Sequence, residues 1–434
     1  MLYLPIKIND DTLPSSRGID CLELYFGQEN GEKIEFAAHF AGNDDFVKSC
    51  ATLLALSTTH GRCVNDKRGF FMGDGVNFIG TDSETKKAAS IFDAANFSST
   101  GLQVIERAAT DYFAAGIAYV KIQKVTVGNT TRFFMSHLDA SKCRISRKKN
   151  GISYYVGYSE NWKVRSEYNK DTHELHGKFP FWLGSNGSII LDETEAKNAS
   201  TVVVISNYTI GNNYYPYPMW LPAAKNIATE IAMADMELEE IENGLMPNTL
   251  IQGVNQNSQE DRKTVQEYIT KRWSRKYKGS DKSQIIVQFV NNAESLLDIK
   301  NIPKPPLSDN IPLSDALCAR IIIAHGLTPS IVGVNLPGKL SNSSEILAEL
   351  EMAMTKIIVP AQNLFLPVLN KFLELNSIDA KIEFSNNAPI SFRSLIKPSE
   401  VLTINEQRAE LGYTPISDGD KLIQPKTNAA TNNN

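Results

Sequence analysis

Apolar residues in this chain recur at two periods, and the change between them divides the sequence. Up to about residue 210 the pattern is mixed. Asp44 to Thr58 has helical spacing, GRCVNDKRGFFMGDG after it reads as a turn-rich connector, and Thr100 to Ala115 is a second helix. Gly116-Ile-Ala-Tyr-Val-Lys-Ile, RFFMSHLD, ISYYVGYS and STVVVISNY then alternate as strands, with β-branched and aromatic residues bounded by Gly, Asn and Ser. Trp162 to Asn198 is polar and irregular, which predicts a hairpin or loop excursion. Beyond residue 213 the period becomes helical. In PMWLPAAKNIATEIAMADMELEEIENG, Pro222 stands in the opening turn and Gly244 at the end. Ile227, Ile231, Ala234, Leu238 and Ile241 make one apolar stripe along it. At 1.5 Å per residue the rod is roughly 30 Å long.

Charge sharpens that picture. The far half of this helix carries Glu230, Asp235, Glu237, Glu239, Glu240 and Glu242. Acids near a helix C-terminus oppose the macrodipole, so helix stability does not explain them. The next segment, Pro247 to Pro306, reverses the sign. It reads as a strand (NTLIQGV), a helix capped near Asn257 and running to about Lys276, and a second strand (QIIVQFV). Arg262, Lys263, Lys271, Arg272, Arg275, Lys276 and Lys278 gather there around Trp273. Such a run is either a solvated face or a docking surface for an acidic partner or DNA.

A second helix, PLSDALCARIIIAHG, stops at Gly326 with Pro329 just beyond. The small-residue loop GVNLPGKLSNSS follows. Asn342 and Glu345, three apart as in a capping box, open a helix from about Ser343 to Glu374. Pro360 and Pro367 interrupt it, and a kink is expected near Val359 because proline removes a helix hydrogen bond and crowds the preceding turn. LTINEQRAELGYTP is a short helix with Thr403 and Glu406 as its capping box, and KTNAATNNN reads as a disordered tail.

The composition of the 434 residues is that of an ordinary globular chain of two to four modules. A net charge of −5 makes no general case for nucleic-acid affinity, so any DNA contact must be local or weak. The five cysteines are scattered and never in a CxxC pair, which predicts free thiols in a reducing compartment. MLYLPIKINDD lacks the pattern of a secretion signal, and no run of about 18 apolar residues predicts a membrane span. No GxxxxGK[ST] loop, GxSxG elbow or dinucleotide glycine spacing occurs. His173-Glu-Leu-His176 has its histidines three apart rather than four, so neither metal, cofactor nor catalytic residues are expected.

The order of these parts resembles the portal proteins of tailed bacteriophages and related viruses. The words that carry the resemblance are YYPYPMWLPAA…ENGLMPN, AHGLTPSIVGV…SSEILAELE and LTINEQRAELGYTPISDGD, and it covers roughly Asp44 to Leu422. It implies an α+β fold of portal-like architecture: an α/β wing over 1–213, a two-helix stem over 214–246 and 309–332, and a small α/β clip over 247–308. A tunnel loop over 333–344, a long proline-kinked wing helix over 345–380 and a C-terminal wing or short crown over 381–424 complete it, before a tail over 425–434.

The function implied is a ring of twelve copies at one capsid vertex, through which double-stranded DNA is packaged and ejected. The implied partners are that DNA, held weakly and without sequence preference, the terminase large subunit, a head-tail adaptor, the major capsid protein and a scaffold protein, but no membrane. The setting is the virion, with assembly in the host cytoplasm. Asn335, Lys339, Ser341 and Asn342 are then expected to face DNA, Glu230, Glu237 and Glu240 to line the stem, and Lys271, Arg272, Trp273, Arg275 and Lys276 to dock partners. Two other readings compete: another virion structural protein, such as a capsid or tail-tube subunit, and a DNA-processing enzyme with an unrecognised site.

Overall fold

A computed structural model describes residues 21–24, 34–39, 44–160, 162, 173–184, 188–190, 199–210, 214–242, 250–254, 263, 286–290, 311–334, 343–386, 403–410, 414–417 and 419–421. Helices and sheet are mixed, and the class is α+β. The first helices are α1 (Phe46–Leu56) and α2 (Thr58–Met72), followed by strand β1 (Val76–Ile79), α3 (Asp82–Asp93) and α4 (Gly101–Ala115). Thr100 caps α4 through a capping box with Gln103, and Gly116 closes it in the left-handed region at φ 81.

The reading of 61–75 as a connector is corrected, because most of it belongs to α2. Ser57 caps this helix by accepting from the His60 amide. His60, Cys63, Val64, Lys67 and Phe71 lie at helical spacing and are all buried. A histidine and a lysine at core positions hide that stripe from a hydrophobicity pattern. Gly61 lets α2 approach α1, since a Cβ there would stand 2.8 Å from the Leu54 carbonyl oxygen. Helix α3 has a weak sequence signal for a related reason: Ala88 and Phe92 are its only buried side chains.

Among the described residues the main sheet has eight strands. Strand β2 (Ile117–Val127) pairs antiparallel with β3 (Thr130–Leu138) and with β4 (Ser200–Ser206), so the segments GIAYVKI, RFFMSHLD and STVVVISNY lie together as strands. The stretch Trp162 to Asn198 contains more structure than a loop: His173–Lys178, Trp182–Leu183 and Ile189–Ile190 are strands of this sheet. Its polar composition reflects short strands that bury few side chains. His176 is one of the buried ones and meets the Ser200 hydroxyl through Nδ1 at 2.9 Å.

One large core joins α2, α4 and the sheet to the C-terminal half of the long helix. That helix runs as α over Ser343–Ala353, as a wider π turn over Met354–Ile358, and as α again over Val359–Leu375. Glu345–Leu375 is long and apolar enough to cross a bilayer, contrary to the expectation from uninterrupted runs. Its apolar side chains are used differently: Ile358, Ala361, Phe365, Leu369, Phe372 and Leu373 are buried in the core. Gln362 is buried too and donates to the Phe71 carbonyl of α2. The strand after the helix, Lys381–Phe384, pairs antiparallel with β1, returning the chain to its N-terminal part. Thr403 and Glu406 form the expected capping box, with Thr403 N donating to Glu406 Oε2 at 2.8 Å and Glu406 N to Thr403 Oγ1 at 3.3 Å.

Candidate functional site: a helix pair and its base

Two helices leave this body around residues 217–326. Helix α5 spans Ala224–Glu242 after a short 3-10 turn at Leu221–Ala223, and α6 spans Ile311–Ala324. Between them, Leu250–Val254 and Ile286–Val290 pair as parallel strands. The N-terminal half of α5 packs on the C-terminal half of α6: Ile227, Ile231 and Ile321 form one buried cluster with Trp220 and with Cys50 and Leu53 of α1. The pair is therefore antiparallel, anchored at one end.

Burial stops beyond Ile231. The predicted stripe continues through Ala234 and Leu238, but both are exposed, Leu238 at 55%. Ile311 and Leu313 at the start of α6 are exposed at 58% and 48%. Among the described residues the helices outrun the body that covers their bases, and their outer halves carry exposed apolar side chains.

The base is held by polar contacts as well. The Trp220 indole N–H donates to the Ala114 carbonyl at 3.0 Å, bolting the turn before α5 to the end of α4. The Glu230 carboxylate accepts from the Ser57 hydroxyl, from Thr59 N at 3.2 Å and from Thr59 Oγ1 at 2.6 Å, so it ties α5 to the α1–α2 junction. Farther out, Glu237 is half-buried and Asp235 is exposed, while the Glu240 side chain lies outside the described residues.

Beneath the pair, His60 Nδ1 meets His325 Nε2 at 2.9 Å, and both imidazoles are fully buried. Burial, then the nearby Lys67 charge, pushes the His60 pKa down to about 4. Burial first, then Lys67 and His60, pushes that of His325 down as well. The Lys67 ammonium is itself buried 5.5 Å over the Phe113 ring, and burial lowers its pKa to about 8. Gly326 closes α6 at φ 71, where a Cβ would stand 2.8 Å from Ile357 Cδ1 of the π turn. None of these groups assembles a metal centre: among the described residues no cluster of three His, Cys, Asp or Glu stands close enough to hold an ion.

No protein-family model matches the chain, and no curated protein matches its sequence. Solved structures do match. A chain from the neck of an empty gene transfer agent particle, reconstructed with C6 symmetry, superposes with a TM-score of 0.53 at 13% identity, covering 86% of this chain and 94% of that one. A chain from the neck of the native particle, reconstructed with C12 symmetry, gives 0.50 at 13% identity over 86% and 95%. An HK97-family phage portal protein from Corynebacterium diphtheriae overlaps more loosely, at 0.43 and 13% identity over 77% and 95%, and nothing below depends on it. The fold is the one shared by these gene transfer agent neck chains. At these identities the likeness concerns the fold alone.

Pro360 sits in the first turn of Val359–Leu375, immediately after the π turn. The wider turn precedes the residue whose amide cannot donate, so the ladder changes register where proline would interrupt it. The expected clip residues Lys271, Arg272, Trp273, Arg275 and Lys276 lie outside the described residues, as do Asn335, Lys339, Ser341 and Asn342 of the expected tunnel loop. The roles of His60, Lys67, His325 and Trp220 at this seam do not follow from the sequence reading above. Their signal was present for His60 and Lys67, at positions i and i+7 of an apolar stripe.

Proposed function

We propose that this chain is the subunit of a portal ring of twelve copies at one vertex of a virus-like capsid, forming the conduit for double-stranded DNA. The observation that carries this is the helix pair. It is anchored at its base, carries exposed apolar side chains at its outer half, and is built on a fold shared with chains of a gene transfer agent neck. A ring closes by repeating one heterologous contact, and apolar side chains left open on a lone subunit are what such a contact would cover. The wing, stem, clip, tunnel-loop and crown boundaries given above are part of this reading.

A conduit must not hold its cargo, because each neutralised phosphate adds salt-dependent affinity. Carboxylates along the channel avoid that, and in this reading Glu237 and Glu240 supply them. Glu230 is already engaged by Ser57 and Thr59, so its part is anchoring. Asn335, Lys339, Ser341 and Asn342 would touch DNA from the tunnel loop. The chain carries no recognisable nucleotide loop, so packaging energy comes from a separate motor, the terminase large subunit. Capsid protein, scaffold and head-tail adaptor are the remaining proposed partners.

Electron-microscopic class averages of the purified protein test the ring. Twelve-fold rings with a central pore are expected, whereas monomers and dimers alone at high concentration across salt conditions would remove the proposal. The basic clip has its own test. Reversing Arg272, Arg275 and Lys276 to Glu should leave rings intact while weakening terminase or adaptor binding at least tenfold, because rim charges govern encounter and specificity. Unchanged binding would reduce that segment to a solvated face.

A further inference from the structure

Two histidines from distant parts of the chain share one hydrogen bond at the seam between the body and the helix pair. His60 belongs to α2, and His325 follows the last residue of α6. Their nitrogens are 2.9 Å apart and their ring centroids 5.0 Å apart. The two outer nitrogens, His60 Nε2 and His325 Nδ1, are buried and have no hydrogen-bond partner among the described residues. Trp220 seals the pair, with its ring centroid 4.3 Å from that of His60 and 6.4 Å from that of His325.

The proton count in this arrangement is restrictive. A shared N···N bond needs one nitrogen to donate and the other to accept. With both rings neutral there are two protons, one in the shared bond and one on an outer nitrogen. A third proton must go either onto the accepting nitrogen, which destroys the bond, or onto the remaining outer nitrogen, which creates a buried imidazolium with no acceptor beside it among the described residues. Lys67 already places a positive charge in the same interior, so either outcome sets charge against charge in a poorly solvated region.

We propose that the His60–His325 pair is an acid-sensitive latch that fastens the helix pair to the body only while both imidazoles are neutral. The other titratable groups at this seam do not compensate a positive charge there. Cys63 on α2 is held protonated by burial, its pKa pushed up to about 12, and burial raises that of Cys318 on α6. Asp66 pairs with Arg62 at 2.8 Å, and Glu230 on α5 is occupied by Ser57 and Thr59. Asp315 on α6 acts on the Cys318 thiol rather than on the imidazoles, and Lys356 on the π turn is exposed.

The pH window follows from the direction of the shifts. Both histidines have folded-state values below the ordinary 6.5. The stability they confer is therefore full above about 6.5 and is lost as pH falls from there through about 4, the folded value for His60. The latch requires only the contacts within one subunit and stands apart from the ring reading.

Hydrogen exchange on the full chain, read by mass spectrometry and corrected for intrinsic rates, tests it. Between pH 7 and pH 4.5, peptides covering 311–326 and 57–66 should exchange at least about tenfold faster, while the core helix 359–375 stays protected. The double variant His60→Asn with His325→Gln keeps hydrogen-bonding groups but cannot titrate, and it should lose the local acid response. The single variant His325→Gln provides the same readout should the double variant fold poorly. An equal acid response in wild type and variants would overturn the latch. So would the absence of any local response in the wild type.

Discussion

Replacing Trp220 with Ala should destabilise the chain by about 3–5 kcal/mol, the range for deleting a large buried aromatic. Trp220 is among the largest fully buried side chains and joins four elements at once. It packs with Cys50 and Leu53 of α1 and with Ile227 and Ile231 of α5, and it covers His60. Its indole N–H also satisfies the Ala114 carbonyl at the end of α4, so the deletion leaves both a cavity and an unpaired acceptor. Trp220→Phe retains most of the packing and loses only the donor, with an expected cost of about 1–2 kcal/mol. Urea unfolding midpoints for the two variants give the comparison. A Trp220→Ala cost below 1 kcal/mol, or equal costs for the two, would mean that this side chain does not anchor the helix pair.

Legibility in the sequence followed how far each element obeys a local rule. Helix α4 was readable from Thr100 and Gln103 at one end and Gly116 at the other, since caps act over three or four residues. The helix pair was readable for the same reason, from Pro222 and Gly326. Helix α2 was not, because Lys67 and His60 occupy core positions and the two glycines within it mimic a turn; Gly61 is explained by the close approach of Leu54, while nothing in the structure explains Gly69. The end of the α5 stripe was invisible in another way. Periodicity shows that Leu238 shares a face with Ile231, but not that the body ends between them. The histidine pair is the extreme case, since its members stand 265 positions apart and no local pattern links them. Only the family resemblance, carried by the order of parts, reached across such distances.

Arg144 marks the second large expected effect, and it too was invisible in the sequence. This side chain is 1% exposed. Its Nε donates to Asp44 Oδ2 at 2.8 Å, and its Nη1 donates to the carbonyls of Cys143 at 2.7 Å and Ser141 at 2.9 Å. The guanidinium also lies 5.4 Å over the Trp162 ring. Asp44 occupies the left-handed region at φ 60, and its other oxygen accepts from the His39 amide, so the pair fixes the entry to α1. Burial raises the Asp44 pKa and the Arg144 charge beside it works in the opposite direction. Arg144→Met should cost about 3–5 kcal/mol, because it strands a buried carboxylate and two carbonyls. Asp44→Asn alone strands the guanidinium, and the double variant Arg144→Met with Asp44→Asn should cost less than the sum of the single changes by about 1 kcal/mol or more. Denaturant unfolding at pH 7 supplies all three values. Strict additivity would show that the two groups are neighbours without being energetically coupled.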